Sequence, residues 1–330
     1  PMDGPLDAPR ITRQVAAEGV TEIVVVSDEP EKFAIGMDFA KGVTVHHRSK
    51  LDEIQRRLRD TEGVTVIVYE QTCAAEKRRR RKRGIEPDPP KRAFINDAVC
   101  EGCGDCGIAS NCVSLAPLES ELGRKRQIDQ SSCNKDFSCV DGFCPSFVTV
   151  HGAEPVKPAA MAEVEVYQPF PALPEPQPAD SSAPYAIVIA GVGGTGVVTI
   201  SAVLAMAAHV SGKGVTVLDL VGLAQKNGAV YAHIRIADDP ARLHAVRIAA
   251  GGADLLIGCD LVSSGSLETL AKLRAERTRA VVNGQRTMTA EFTRDPDLHF
   301  PERRLHEAIE ETTSAADFVE ATDLAVRLLG

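Results

Sequence analysis

The chain has 330 residues, with 44% hydrophobic residues, 4% aromatic residues, no tryptophan and a formal net charge of −9. This apolar content is sufficient for two or three folded domains, whereas so few aromatic residues argue against a stacking platform for single-stranded nucleic acid. There is neither an apolar run of about 18 residues nor the basic and apolar regions of a signal peptide, so we expect a cytoplasmic protein that binds no membrane and no nucleic acid.

Residues 1–90 alternate between buried β-type runs and a helical pattern. The predicted strands are residues 22–28, 43–49 and 63–70, which are short and rich in β-branched side chains. This order predicts the end of a parallel α/β sheet. The chain does not begin with Met and its first periodic element starts almost at once, so we expect a segment of a longer polypeptide.

A basic run, KRRRRKRG, follows at residues 77–84. It is either a solvated helix end or a docking patch for an acidic protein or another domain, since runs of like charge commonly serve both purposes. A nucleic-acid arm is the least favoured interpretation beside a metal-binding module.

Seven of the nine cysteines are concentrated between residues 100 and 144. Bunched thiols in a chain without a secretory signal favour a metal centre over a disulfide framework. The first group has the spacing C-x2-C-x2-C of two-cluster ferredoxins, in which three thiolates hold one cluster and a fourth, followed by Pro, crosses to the other. The second group has the same spacing with Asp136 at the middle position, and Cys144 is followed by Pro145.

The crossing rule divides these residues between two iron–sulfur clusters of the 4Fe-4S type, the second of which could also be 3Fe-4S. The predicted ligands are Cys100, Cys103, Cys106 and Cys144 for the first cluster, and Cys112, Cys133, Cys139 and Asp136 for the second. Asp136 is either an iron ligand or a spectator beside a three-iron or water-ligated cluster. One cluster with three structural thiols, and zinc, remain alternatives. Cys73 and Cys259 stand apart and are expected to be inert core thiols.

Residues 151–184 form a proline-rich segment that predicts an extended linker. A second α/β domain follows at 185–330, beginning with a buried strand, the glycine turn GVGGTG and an apolar helix. The alternation of apolar and polar residues at 229–237 predicts a half-exposed strand, and helices are predicted at 301–311 and 317–330. This context predicts either a dinucleotide site or a tight turn without a ligand, with Asp219 at the end of the next strand as the acid for the ribose. The candidate binding residues are Gly191, Gly193, Gly194, Gly196, Gln225 and Asn227.

Almost the whole chain resembles the bacterial fused indolepyruvate (aryl-2-ketoacid) ferredoxin oxidoreductases. The resemblance rests on DGPLDAPRITRQVAAEGV and VIVYEQTCAAEKRRRRKRG, on the cysteine run with RKRQIDQSSCNKDFSCVDGFCPSFVTV, and on GVGGTGVVT, GLAQKNGAVYAHIRI and VVNGQRTMTAEFTRDPDLHFP. It implies an α/β chain with four parts: the end of a parallel-sheet thiamine-diphosphate-binding domain (1–90), a small two-cluster ferredoxin-like α+β domain (91–150), the linker, and a doubly wound Rossmann-like gamma domain (185–330) that continues beyond Gly330.

The resemblance also implies a reaction, in which a 2-oxoacid, CoA and oxidised ferredoxin give an acyl-CoA, carbon dioxide and reduced ferredoxin. Thiamine diphosphate and Mg would bind upstream of Pro1, so no catalytic residue is expected in this segment, which would be inactive alone. The expected partners are ferredoxin, the remainder of the polypeptide or a companion subunit, and further copies of the chain. The family's gamma domains carry the glycine turn without being nicotinamide sites. The alternatives are a ferredoxin-linked NAD(P)H or flavin oxidoreductase and a non-catalytic iron–sulfur module.

Overall fold

The computed structural model describes residues 6–33, 36–142, 144–152, 175, 179–222, 228–295 and 297–329. By contact they form two compact units, residues 1–87 and residues 88–330. The predicted boundary at residue 90 lies close to this division. Most of the predicted linker lies outside the described residues, and the predicted divisions at 150 and 184 stay predictions.

The first unit contains a parallel sheet in the order β2-β1-β3. Its elements are α1 (Ala8–Ala17), β1 (Glu22–Ser27), β2 (Thr44–His47), α2 (Leu51–Arg59), β3 (Thr65–Glu70) and α3 (Ala74–Lys82). The three predicted strands and their parallel order are therefore confirmed. Val24, Val25 and Val26 are fully buried in the central strand, because the sheet carries apolar side chains on both faces. The basic run 77–84 lies largely in α3, where Lys77 pairs with Asp28 at 2.8 Å.

The cysteine region is a small α+β arrangement at the start of the second unit. Its elements are β4 (Lys91–Ile95), α4 (Asp105–Ser110), β5 (Leu115–Ser120), β6 (Gly123–Ile128) and β7 (Phe147–His151). β4 pairs antiparallel with β7, and β5 and β6 form an antiparallel hairpin. The cysteines thus lie in the connections between two short sheets rather than within strands.

Residues 185–329 form a six-stranded mixed sheet in the order β13-β12-β11-β8-β10-β9. Its strands are β8 (Tyr185–Val192), β9 (Gly214–Val221), β10 (Ala229–Ala237), β11 (Leu255–Gly258), β12 (Arg279–Asn283) and β13 (Ala315–Val319). Strands β8, β11, β12 and β13 are parallel, whereas β10 runs antiparallel between β8 and β9. The expected doubly wound sheet is therefore interrupted at this position, and the strand predicted to be half-exposed lies in the sheet interior with Ala232 and Ile234 fully buried.

Helices cover both faces of this sheet, and each face has its own buried cluster of side chains. The helices are α5 (Val197–Val210), α6 (Leu261–Ser264), α7 (Leu267–Leu270), α8 (Glu291–Arg294), α9 (Glu302–Glu311) and α10 (Ala321–Leu329). The predicted helix at 301–311 is confirmed. The predicted helix at 317–330 is wrong at its start, because residues up to Val319 belong to β13 and pair with β12. No helix among the described residues has the length and apolarity to cross a membrane.

Candidate metal centre

The seven clustered cysteines are brought together by the loops that connect the short strands. Cys100 follows β4, Cys106 lies in α4 and Cys112 follows it. Cys139 lies in a single 3-10 turn, Ser138–Val140, and Cys144 precedes β7. Because β4 pairs with β7, the loop after the first strand and the loop before the last meet at one end of the small sheet.

The larger of two cavities in this region has a volume of about 480 Å³. Its lining includes the four cysteines predicted for the first cluster, Cys100, Cys103, Cys106 and Cys144, together with Cys139, Ser146 and Arg126. Cys100 is buried and Cys103 is exposed, so the cavity reaches from the core of the module to its surface. Cys144 thus lines the same cavity as the thiols of the first loop, together with Cys139 of its own group.

The smaller cavity, about 10 Å³, lies on the other side of Cys139. Its lining includes the four residues predicted for the second cluster, Cys112, Cys133, Asp136 and Cys139. The residues predicted for the first cluster thus line one cavity and those predicted for the second line the other, with Cys139 in both linings, and their role as ligands stays a prediction. Within the described residues, no three His, Cys, Asp or Glu side chains converge as the ligands of one metal ion would.

Two of the sulfur atoms have polar contacts, and apolar side chains pack against several others. The backbone N–H of Lys135 donates to Cys133 Sγ at 3.4 Å, and Ser146 Oγ lies 3.0 Å from Cys144 Sγ. Hydrogen bonds to sulfur stabilise its anionic form and tune bound clusters. Apolar side chains, among them Ile95 and Leu115, pack against Cys100, Cys106, Cys112 and Cys139 and keep water away from them.

The cysteine pKa values show why these thiols need a cation to ionise together. Burial raises the pKa of Cys106, and the nearby Arg126 guanidinium partly opposes that effect. Burial first, and then the neighbours Cys112, Cys133 and Asp136, raise the pKa of Cys139 to about 12. Metal binding overcomes such pKa values, because the ion replaces the proton on each coordinating sulfur. Thiols are the ligands that iron–sulfur clusters take, so the chemistry of this donor set fits such clusters.

Asp136 lines the smaller cavity but is also held by a local turn. Its carboxylate accepts hydrogen bonds from Ser138, at 3.4 Å from the backbone N–H and at 3.2 Å from the hydroxyl, which are long distances for such bonds. The residues on either side, Lys135 and Phe137, adopt left-handed φ values of 54° and 61°. Non-glycine residues in this region cost free energy, and such strain is frequent at functional sites.

A residue that the sequence analysis did not identify is Arg126. It lies in β6, is 3% exposed, and donates from Nη1 to the carbonyl of Phe292 at 2.9 Å, while its Nη2 is buried without a hydrogen-bond partner among the residues that the structure describes. Arg124, two residues earlier on the same strand, donates to the carbonyl of Leu298 at 2.7 Å. The cationic run RKR between the cysteine groups is the only sequence feature that points to Arg126. The run does not indicate which of its three side chains is buried.

The glycine turn has a structural explanation that needs no ligand. Gly194 and Gly196 have φ values of +102° and +90°, and a Cβ on Gly191 would lie 2.4 Å from Thr195 Oγ1. Val192 N–H donates to the buried carboxylate of Asp260 at 2.7 Å, which fixes the end of β8. Of the other candidate residues in this turn, Gln225 and Asn227 lie outside the described residues.

The two solitary cysteines differ from each other. Cys259 is buried directly after β11, as expected for a core thiol. Cys73 is exposed and precedes α3, so its predicted place in a core is wrong. The neighbours of an isolated Cys in sequence do not show whether it is buried. Cys73 lies at the N-terminal end of a helix, and such an end can lie at the surface.

Comparison with known proteins finds a family match in the second unit. Residues 186–330 match the family model described as POR, pyruvate ferredoxin/flavodoxin oxidoreductase. The chain is 34% identical over 116 residues to indolepyruvate oxidoreductase subunit IorB of Archaeoglobus fulgidus, an alignment that covers 34% of this chain and 54% of the relative. It is 35% identical over 80 residues to IorB of Pyrococcus horikoshii, covering 24% of this chain and 38% of the relative. The chain thus spans about half, or less, of these relatives.

Similar solved structures have low TM-scores. Pyruvate oxidoreductase subunit PORC of Thermotoga maritima is 23% identical, with a TM-score of 0.29, and the match covers 44% of this chain and 66% of that one. A 2-oxoglutarate:ferredoxin oxidoreductase of Magnetococcus marinus is 16% identical, with a TM-score of 0.31, covering 43% and 21%. TM-scores this low do not establish a shared fold. The family match thus concerns residues 186–330, less than half of the chain, and the IorB relatives are similar to the chain over part of their length.

Proposed function

We propose that this chain is the iron–sulfur electron-transfer part of a ferredoxin-dependent aryl-2-oxoacid (indolepyruvate) oxidoreductase. The family match at 186–330 and the IorB relatives support the enzyme class. The cysteine region supports the role in electron transfer. The substrate, CoA as co-substrate, thiamine diphosphate with Mg elsewhere in the complete enzyme, companion subunits and ferredoxin as acceptor are all parts of the proposal.

The observation that carries the proposal is the exchange of one cysteine between the two groups. Cys144 lines the cavity of Cys100, Cys103 and Cys106, whereas Cys112 lines the cavity of Cys133. This exchange is the arrangement of two-cluster ferredoxins, in which each loop supplies the fourth ligand of the other cluster. Three cysteines in one C-x2-C-x2-C loop are also more typical of a cluster than of zinc.

The residues of the two cavities have separable tasks. Three thiols of the first group would hold one cluster, and Cys144 would complete it. Cys133 and Cys139 of the second group would hold the other cluster, with Cys112 as the exchanged ligand and Asp136 at the remaining corner. Bound clusters supply one-electron oxidation and reduction, which a two-electron decarboxylating centre needs to reach a one-electron carrier such as ferredoxin. The chain contributes a hydrogen bond from the Lys135 N–H to the sulfur of Cys133, a contact between Ser146 Oγ and the sulfur of Cys144, and an apolar layer that excludes water. Exposed Cys103 places the larger cavity at the surface, where an electron acceptor could approach.

The experiment is an electron-transfer assay on the full chain after anaerobic reconstitution with iron and sulfide. We expect visible absorbance from clusters, bleaching by dithionite, and recovery of the absorbance when oxidised ferredoxin is added. NADH should not bleach the clusters, and no flavin spectrum should appear. Bleaching by NADH would favour the alternative, a nicotinamide or flavin oxidoreductase. A reduced protein that ferredoxin does not reoxidise would contradict the proposed role.

A further inference from the structure

Arg126 is the one residue in the lining of the larger cavity that combines a full positive charge with burial. Its Nη1 is occupied by the carbonyl of Phe292, but its Nη2 lies buried with no hydrogen-bond partner in the described part of the chain. A buried guanidinium donor without a partner is unfavourable, since it has lost its hydration and gained nothing in return. Such a group therefore indicates a binding partner in the space that it lines.

The space in question is the cavity of Cys100, Cys103, Cys106 and Cys144. A thiolate-bound cluster there would be anionic, and its sulfur atoms would accept hydrogen bonds. The chemistry of Nη2 matches both properties.

The other charges around the larger cavity are less effective. Glu101 and Asp105 also line it, but both are exposed, so solvent and salt screen their charges. Lys125 donates from Nζ to the carbonyl of Cys100 at 2.7 Å, which adds a second cation nearby. The residues described around the smaller cavity carry no cationic side chain and include the carboxylate of Asp136. The larger cavity thus has a buried cation in its lining, whereas the described lining of the smaller cavity has none.

We propose that Arg126 is a positioning residue that donates from Nη2 to sulfur in the larger cavity and raises the reduction potential of the cluster held there. This inference rests on the proposed function, because it needs a cluster in that cavity. Reduction adds one negative charge to the cluster. A buried cation and hydrogen bonds to sulfur favour the reduced state, and both are known determinants of cluster potentials. Since Nη1 is fixed on Phe292, docking of the 186–330 domain holds the guanidinium in place.

The test is a redox titration of the reconstituted full chain, followed by electron paramagnetic resonance. Arg126→Gln removes the positive charge. Arg126→Lys keeps the charge but lacks the planar guanidinium with its two terminal N–H donor groups. Arg124→Gln is the matched control, because Arg124 also contacts the carbonyl of a residue in the 291–300 segment but does not line the cavity. The Cys133→Ala background removes a predicted ligand of the other cluster and so identifies the signal that shifts.

We expect Arg126→Gln to lower the ratio of reduced to oxidised cluster at a fixed potential on the order of tenfold, or about 59 mV for one electron. The shift should be confined to the cluster of the larger cavity. Arg126→Lys should give a smaller shift, and Arg124→Gln none. Unchanged potentials in Arg126→Gln with both clusters present would overturn the inference and leave the proposed function intact. A parent protein that assembles no cluster would instead refute the proposed function.

Loss of the cluster from a variant would also decide the question. Direct contact with the cluster is supported if Arg126→Gln loses the cluster and Arg124→Gln retains it. In that case Arg124→Gln should also unfold at the same denaturant concentration as Arg126→Gln, so that a loss of stability does not explain the difference. If both variants lose it equally, docking of the 291–300 segment is the cause, and the inference is wrong.

Discussion

Asp136 shows how one substitution in a repeated pattern changes the expected chemistry of a site. It occupies the position of the middle cysteine of the second group, lines the smaller cavity, and is exposed. A carboxylate is a harder ligand than a thiolate and prefers harder ions, so it would hold the iron at that corner less firmly. Its hydrogen bonds with Ser138 compete further for the same oxygen atoms.

The first prediction is that Asp136→Cys stabilises the second cluster against oxidation. Brief anaerobic treatment of the reconstituted parent with a mild oxidant should give the electron paramagnetic resonance signal of a three-iron species. Asp136→Cys should give little of it, because a fourth thiolate then holds the last iron. Asp141→Cys is the matched control, since Asp141 is also exposed in this segment but does not line the two cavities. Equal lability in parent and Asp136→Cys would mean that Asp136 does not contact a cluster.

A spacing rule in the sequence predicts which residues are cluster ligands. A contact between residues that are distant in sequence has no such rule. The exchange of Cys144 and Cys112 is predicted from loop spacing and stays a prediction, although Cys144 lines the larger cavity and Cys112 the smaller one. The role of Arg126 could not be predicted, because its partner is a backbone carbonyl 166 positions away in sequence. Carbonyl groups carry no sequence signature, so contacts of this kind are visible only in the folded chain.

At the scale of elements, the cysteine region is joined to the 186–330 domain through two short helices. A Cβ on Gly107 in α4 would lie 2.5 Å from the carbonyl oxygen of Thr293 in α8, so the helices approach as closely as glycine permits. Thr293 Oγ1 also lies 3.4 Å from the carbonyl of Cys112. The close approach therefore holds a predicted cluster ligand in place.

The second prediction follows from this contact. Gly107→Ala should lower the free energy of unfolding by about 1–3 kcal/mol, since an added methyl in a closely packed contact forces the backbone apart. Gly142→Ala is the control in the same module, because a Cβ there meets no atom within 4 Å. It should change the stability by less than about 0.5 kcal/mol. Urea unfolding followed by circular dichroism measures both, and equal stability of the two variants would show that α4 and α8 do not pack as described.

Strand β10 is the element that bears most on whether the glycine turn is a dinucleotide site. In a dinucleotide-binding unit, the acid that binds the ribose ends the strand beside the glycine turn. Here β10 separates β8 from β9, and Asp219 on β9 accepts a hydrogen bond from Ser201 at 3.1 Å. The alternation of apolar and polar residues in β10 predicted a strand, which is confirmed. It could not reveal the neighbours of that strand, because strand order depends on contacts distant in sequence.

The third prediction is that the chain has no stable NAD, NADP or FAD site. The separation of Asp219 from the glycine turn removes one of the contacts that such ligands need. Isothermal titration calorimetry with each ligand should detect no low-micromolar binding. Micromolar affinity for any of the three would restore the nicotinamide or flavin alternative.

At the scale of the whole molecule, local patterns predicted the order of elements better than their assembly. The parallel strands β1, β2 and β3 followed from three short apolar runs, because strands buried on both faces are recognisable by composition alone. The contact of the cysteine region with residues 291–300 was not predicted. The proline-rich segment between them suggested separation, whereas the structure places both in one compact unit. The buried surfaces of a domain contact lie on several elements, and no single stretch displays them.

The measurement that tests the central claim most directly is the effect of removing the two exchanged cysteines, with iron and sulfide content and electron paramagnetic resonance as readouts. The reconstituted parent should contain two clusters per chain. Cys144→Ala should lose the same signal as Cys103→Ala, although Cys139 is its nearest cysteine in sequence, and Cys112→Ala should lose the same signal as Cys133→Ala. Cys73→Ala, which removes an exposed thiol far from this region in sequence, should keep both signals. A parent with the iron of a single cluster, or Cys144→Ala losing the signal that depends on Cys133, would contradict the account.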